Sequence, residues 1–148
     1  MVELTTTLRR HGRIGLDTSP FIYHLEGTSR YATLTEIVFG EMERGAFVGL
    51  TSVLTLMELT VKPLQLSRPD VARDYETALE SFPNLDLVPL DRSVARRAAE
   101  LRAGLRLRPA DALQVAACLE HGATALLTND SALRRVDALE VILLDEYA

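Results

Sequence analysis

Tryptophan is absent from the 148-residue sequence, and cysteine occurs once, as Cys118. A single thiol excludes an internal disulfide and any zinc site built on cysteine, and it suits a reducing compartment. The three histidines, His11, His24 and His121, lack the spacing of a paired ligand motif. Long apolar runs are missing too: none reaches the roughly 18 uncharged residues that a membrane span needs. The N-terminal stretch MVELTTTLRRHGR has no hydrophobic core of a signal peptide, so the sequence predicts a cytoplasmic protein without membrane association. Lysine is nearly absent. Lys62 stands alone among 16 basic residues, the rest arginine, against 21 acids and a formal net charge of −5. That balance gives no general attraction to nucleic acid. Arginine's planar fork nevertheless suits phosphate where it is well placed. GC-rich coding is the plainer explanation of the ratio, so placement matters more than count.

What is present is ordinary for a globular protein, with 47% hydrophobic and 25% charged residues. The length fits one domain spanning 1–148, with residues 1–12 as an N-terminal arm. No repeat, linker or low-complexity segment interrupts it. Short apolar runs at 13–17, 46–50, 85–90, 123–128 and 140–144 read as strands. Helical stretches alternate with them. One begins at SPFIYHL with Ser19 as cap and Pro20 near its start, and a second covers 31–44 and closes at Gly45. A third is capped by Thr51 or Ser52 and ends or kinks at Pro63. Further helices cover 69–82, run from Asp91 to about Leu101, and run from Pro109 to a close at Gly122. This alternation predicts an α/β fold with a doubly wound parallel sheet. Ligands of such sheets bind beyond the carboxyl ends of the strands.

Four acids stand alone in otherwise uncharged stretches. Asp17 is isolated between Ile14 and Leu25, Asp111 between Pro109 and Leu119, Asp130 between Gly122 and Leu133, and Glu58 in GAFVGLTSVLTLMELTV. Asp17 and Asp130 directly follow expected strands and could serve as helix caps. Asp111 could favour its helix N-terminus through the dipole alone. Glu58 is placed late in its helix among apolar neighbours, where neither use applies, so a cation is expected beside it. An arginine or lysine could be that cation. Several isolated acids at one rim of a sheet would repel one another unless a divalent ion sat among them. Oxygen ligands without cysteine point to Mg²⁺ or Mn²⁺.

GLDTSPFIYHLE, TSVLTLMELTVKP and RPADALQVAACLEHGATALLTND together resemble the PIN-domain ribonucleases, in particular the VapC-type toxins of toxin–antitoxin pairs. The likeness runs in order from Ile14 to Leu144. It implies a three-layer α/β/α fold with a central parallel sheet of about five strands. It also implies a Mg²⁺- or Mn²⁺-dependent endoribonuclease whose acids are Asp17, Glu58, Asp111 and Asp130, with Thr18, Thr128 and Asn129 as polar groups near the metals. Asp17 is the expected shared ligand, Asp111 and Asp130 complete one site, and Glu58 binds a metal or orients its water. Such an enzyme hydrolyses a phosphodiester with metal-activated water.

The resemblance further implies an RNA substrate (tRNA, rRNA or mRNA), a VapB-type antitoxin encoded nearby, and a homodimer. The apolar faces around Leu34, Ile37 and Val38, or Leu66 and Val71, are candidate partner surfaces, with core packing as their plainer use. Arg102, Arg106 and Arg108 precede Asp111 and are candidates for holding RNA phosphates. Arg9, Arg10, Arg13, Arg134 and Arg135 form two further clusters. Two alternatives remain: a PIN nuclease of RNA processing, and a non-catalytic module that binds metal or protein. A haloacid-dehalogenase phosphatase needs a second aspartate where Ser19 stands, and a response-regulator receiver needs a late lysine that is missing.

Overall fold

The computed structural model describes residues 3–148, so the first two residues of the expected arm lie outside it. Among the described residues, β1 (Arg13–Leu16), β2 (Val48–Ser52), β3 (Leu85–Val88), β4 (Ala125–Thr128) and β5 (Glu140–Leu143) form one parallel sheet in the order β3-β2-β1-β4-β5. The helices are α1 (Leu4–Leu8), α2 (Thr18–Glu26), α3 (Ala32–Glu43), α4 (Val53–Gln65), α5 (Pro69–Ser81), α6 (Arg92–Leu105) and α7 (Pro109–Glu120). Two 3₁₀ turns, Ser131–Arg135 and Leu144–Tyr147, follow β4 and β5.

Successive strand residues point to opposite faces, and this divides the core in two. Ile14 and Leu16 of β1 and Leu127 of β4 pack with Leu8, Phe21, Val38, Met42, Leu59 and Leu79 from α1 to α5. Leu50 and Leu126 pack on the other face with Val94 and Ala98 of α6 and Val115, Ala116 and Cys118 of α7. The result is the expected three-layer α/β/α arrangement. Gly15 lies between these layers, where an added Cβ would collide with the Cys118 thiol, so glycine lets α7 approach the sheet.

Local chemistry sets the helix ends. Asp17, Ser52 and Asp91 accept hydrogen bonds from Ser19 N (3.3 Å), Leu54 N (3.2 Å) and Val94 N (3.0 Å), capping α2, α4 and α6. Asp17 rather than Ser19 therefore caps α2. Pro69 and Pro109 occupy the favourable first positions of α5 and α7. Gly45 and Gly122 follow α3 and α7 at φ of 84° and 83°, where a side chain would be strained. The structure also differs from the sequence expectation. β2 lies two residues later than 46–50, because its register pairs Val48 with Arg13, and Thr51 and Ser52 thereby enter the strand. α4 runs through Pro63 to Gln65, and α6 extends to Leu105 before Arg106 turns left-handed at φ 54°.

Most of the expected arm is part of the packed structure. Leu4 and Leu8 of α1 are buried in the first core. Arg9 forks onto both oxygens of the buried Glu41 on α3, at 3.1 Å each. Among the described residues, no helix is long and apolar enough to cross a membrane. The strand order makes β1 and β4 the neighbours at which the winding direction reverses. A crevice opens beyond their carboxyl ends.

Candidate functional site

Four different elements deliver the four isolated acids to that crevice. Asp17 is the first residue after β1, and Asp130 lies two residues after β4. Glu58 projects from α4, which follows β2, and Asp111 from the first turn of α7. All four line one cavity of about 380 Å³, together with Thr18, Ser19, Ile22, Arg108, Ala110 and Gln114.

Asp17 sits deepest. Thr128 donates its hydroxyl proton to Asp17 Oδ2, and Ser19 donates from its hydroxyl to Oδ1 at 3.0 Å. Thr128 also accepts from the backbone N–H of Asp130 at 3.0 Å, so one side chain ties two of the acids to the end of β4. Burial raises the Asp17 pKa from 3.8 to about 6; the bonds from Thr128 and Ser19 oppose the shift, and the charge of Asp111 adds to it. Among the described residues, no basic side chain makes a salt bridge with Asp17. At neutral pH it is an ionised, poorly hydrated carboxylate without a counter-cation. Beneath it the Cys118 thiol is pushed up to about 12, mainly by burial, and is inert as a nucleophile.

Glu58 differs from the expectation in three respects. It lies in the middle of α4, not late in it; it is exposed; and it meets the Thr18 hydroxyl, which donates to Oε1 at 2.5 Å, rather than a cation. The apolar run around it misled because Val53, Met57, Val61 and Leu64 of the same helix are themselves exposed. Asp111 and Asp130 do meet a cation. Arg108 Nε donates to Asp111 Oδ2 at 3.0 Å, and Nη2 donates to Asp130 Oδ2 at 3.2 Å. The Arg108 side chain is 75% exposed, so solvent screens both pairs.

The other expected residues are placed as follows. Asn129 faces away from the cavity, donating to Tyr23 Oη at 3.1 Å and accepting from Asp145 N at 3.0 Å. Arg102 donates to the Leu107 carbonyl at 3.0 Å and braces the turn before α7. Arg106 occupies the left-handed end of α6. Of the three arginines near Asp111, only Arg108 lines the cavity. Arg10 and Arg13 pair with Glu140 and Asp86, Arg134 pairs with Glu146, and Arg135 bonds the Ala132 carbonyl.

The side chains suit a hard divalent ion in kind. The cavity offers carboxylate and hydroxyl oxygens with no sulfur or imidazole, and the negative charge exceeds what one arginine balances. Among the described residues, no three acidic, histidine or cysteine side chains already form a metal cluster. Asp111 and Asp130 are turned toward Arg108, and to hold an ion they would have to exchange that guanidinium for it. Gln114 and Thr55 are not among the residues the sequence singles out, and Thr51 enters there only as an alternative helix cap, yet the three form a buried polar network under the acids. A lone amide in the apolar run ADALQVAAC was the available signal.

A second, largely apolar groove of about 300 Å³ adjoins the cavity between α2, α4 and α5 and shares Ile22 and Glu58 with it. Leu66 and Val71 line this groove, whereas Val38 is buried and Leu34 and Ile37 pack onto the first core.

A family model described as the PIN domain matches residues 14–139. No curated protein sequence matches the chain. Similar solved structures include VapBC2 from Rickettsia felis bound to a promoter DNA fragment, with TM-score 0.68, 16% identity, and coverage of 88% of this chain and 98% of that one. DNA-bound VapBC from Salmonella typhimurium gives 0.67 and 19%, covering 89% and 98%. The toxin–antitoxin system VapBC-5 from Mycobacterium tuberculosis gives 0.59 and 23%, also covering 89% and 98%. At these identities the likeness is one of fold.

Proposed function

Because the chain belongs to the PIN domain family, we propose that it is a cytoplasmic, divalent-metal-dependent endoribonuclease, the toxin of a VapBC-type pair. The observation that carries this reading is the convergence of four isolated acids from four elements on one cavity, the deepest of them without a counter-cation. Asp17, Asp111 and Asp130 would hold Mg²⁺ or Mn²⁺, with Glu58 binding directly or orienting a water. The ion would supply an activated water and offset the charge of the scissile phosphate. The remaining work belongs to the protein. Thr128 fixes the Asp17 carboxylate through Oδ2, and Thr18 fixes Glu58 through Oε1. Arg108 now pairs with Asp111 and Asp130, and with those acids engaged as ligands it would be available to hold a substrate phosphate beside them.

One observation favours the non-catalytic alternative: Arg108 spans two acids that the metal needs. It reaches only that half of the site, however, and from an exposed position that it can leave at little cost. The toxin reading also carries an antitoxin and a second copy of the chain as partners. The apolar groove lined by Leu66 and Val71 and the exposed α4 stripe of Val53, Met57, Val61 and Leu64 are surfaces available to them.

The test is cleavage of tRNA, rRNA and mRNA substrates with Mg²⁺ or Mn²⁺ and with EDTA. The expected result is metal-dependent cutting that leaves 5′-phosphate and 3′-hydroxyl ends, since water rather than the ribose 2′-hydroxyl attacks. Cutting that persists in EDTA, or 2′,3′-cyclic phosphate ends, would refute the mechanism.

A further inference from the structure

The buried polar network under the acid cavity has a single direction, and it passes through Gln114. The backbone N–H of Ser52 can only donate, and it points at Gln114 Oε1 from 3.3 Å, which fixes which end of the amide faces β2. The Ser52 hydroxyl donates to the same oxygen. The amide nitrogen therefore faces the other way and donates to Thr55 Oγ1 at 2.9 Å. Thr51 spends its only hydroxyl proton on the Leu16 carbonyl at 2.8 Å, so in the 2.6 Å contact between Thr51 and Thr55 the donor is Thr55. The chain of donors runs from Ser52 to Gln114, Thr55, Thr51 and finally the Leu16 carbonyl. Among the described residues, no buried side-chain polar atom is left without a partner.

The ends of this chain matter for the site. Leu16 immediately precedes Asp17. Ser52 and Thr55 form the start of α4, which carries Glu58. Gln114 lies one helical turn after Asp111 on α7 and itself lines the acid cavity. Three elements that bring three acids meet at one amide. We propose that Gln114 is a positioning residue: its two-ended amide sets the mutual spacing of Asp17, Glu58 and Asp111, and so the affinity of the cavity for a divalent ion. This rests on the metal-centre reading above. An apolar side chain of similar length would fill the same volume, but it would leave the Ser52 and Thr55 groups to find other partners and α4 free to shift against β1 and α7.

The experiment compares Mn²⁺ binding to the full chain by calorimetry for wild type, Gln114→Met and Val115→Ala. Val115 is fully buried on the same helix but belongs to the core away from the cavity. Gln114→Met is expected to remain folded by circular dichroism and to lose about tenfold or more in Mn²⁺ affinity. Val115→Ala should lower the melting temperature yet bind Mn²⁺ as wild type does. RNA cleavage by Gln114→Met should fall in kcat with KM little changed, since the Gln114 amide is buried and already engaged by Ser52 and Thr55. If Gln114→Met does not fold, Thr55→Val removes one link of the same chain and must show the same directional loss. Wild-type affinity in the Gln114 or Thr55 variant overturns the positioning role and leaves the metal centre standing. Absence of Mn²⁺ binding by the wild type itself overturns both.

Discussion

Replacing Asp17 by asparagine should stabilise the metal-free protein while abolishing cleavage. The magnitude follows from the environment of the carboxylate. Its pKa is about 6 in the fold against an ordinary 3.8, so holding it ionised at neutral pH costs about 3 kcal/mol, at 1.36 kcal/mol per pKa unit. Asparagine removes that cost but weakens the bonds from Thr128 and Ser19, a loss of about 1 kcal/mol. The net gain of about 2 kcal/mol corresponds to a melting temperature about 4–8 °C higher for a chain of this size. The sign of the pH dependence is fixed as well. A carboxyl whose folded pKa lies above its unfolded one contributes stability at low pH that is lost as pH rises from about 4 through 6. The advantage of Asp17→Asn over wild type must therefore be full above pH 7 and shrink as pH falls toward 4. The assay is thermal unfolding in EDTA at several pH values, repeated with Mn²⁺, where only the wild type should gain stability. A variant that melts at or below the wild-type temperature at pH 7.5, or an advantage that does not diminish toward pH 4, would refute the reasoning.

Other outcomes follow from the same geometry. Arg108→Ala should bind Mn²⁺ more tightly than wild type, because Asp111 and Asp130 lose their competing cation, while KM for RNA rises; calorimetry and cleavage kinetics separate the two effects. Gly15→Ala should cost about 1–3 kcal/mol, read from denaturant unfolding, because its methyl group meets the Cys118 thiol where α7 rests on β1. Leu8→Ala should cost about 2–5 kcal/mol, as for other fully buried leucines. An unchanged midpoint there would mean that α1 contributes nothing to the fold's stability.

Much of the fold is written in local chemistry. Asp91, Ser52, Pro69, Pro109, Gly45 and Gly122 mark helix ends through caps and dihedral preferences that act within a few residues. The apolar runs of β1, β4 and β5 are legible because buried strands of a parallel sheet are apolar on both faces. The acids Asp17, Asp111 and Asp130 stood out for a related reason: each is the lone charge in a stretch that folds into or beside the core.

Other features of the fold and the site are set by nonlocal contacts. The two-residue displacement of β2 reflects pairing with β1, which no window around residue 48 contains. Glu58 lies in an apolar run but not in an apolar place, because the run supplies an exposed stripe on α4 as well as a buried one. That Arg108, and neither Arg102 nor Arg106, reaches the acids depends on the turn between α6 and α7. Gln114 acquires its role only when β1, α4 and α7 meet around it.

Near neighbours and periodicity suffice to place most of the helices and strands, though not α1, and to pick out four carboxylates that stand alone in otherwise uncharged stretches. How those carboxylates share a cavity, which of them is desolvated and which two pair with an arginine depends on contacts made across the chain. Burial and electrostatic coupling are properties of groups brought together across the chain, and they arise only once the sheet has ordered its strands.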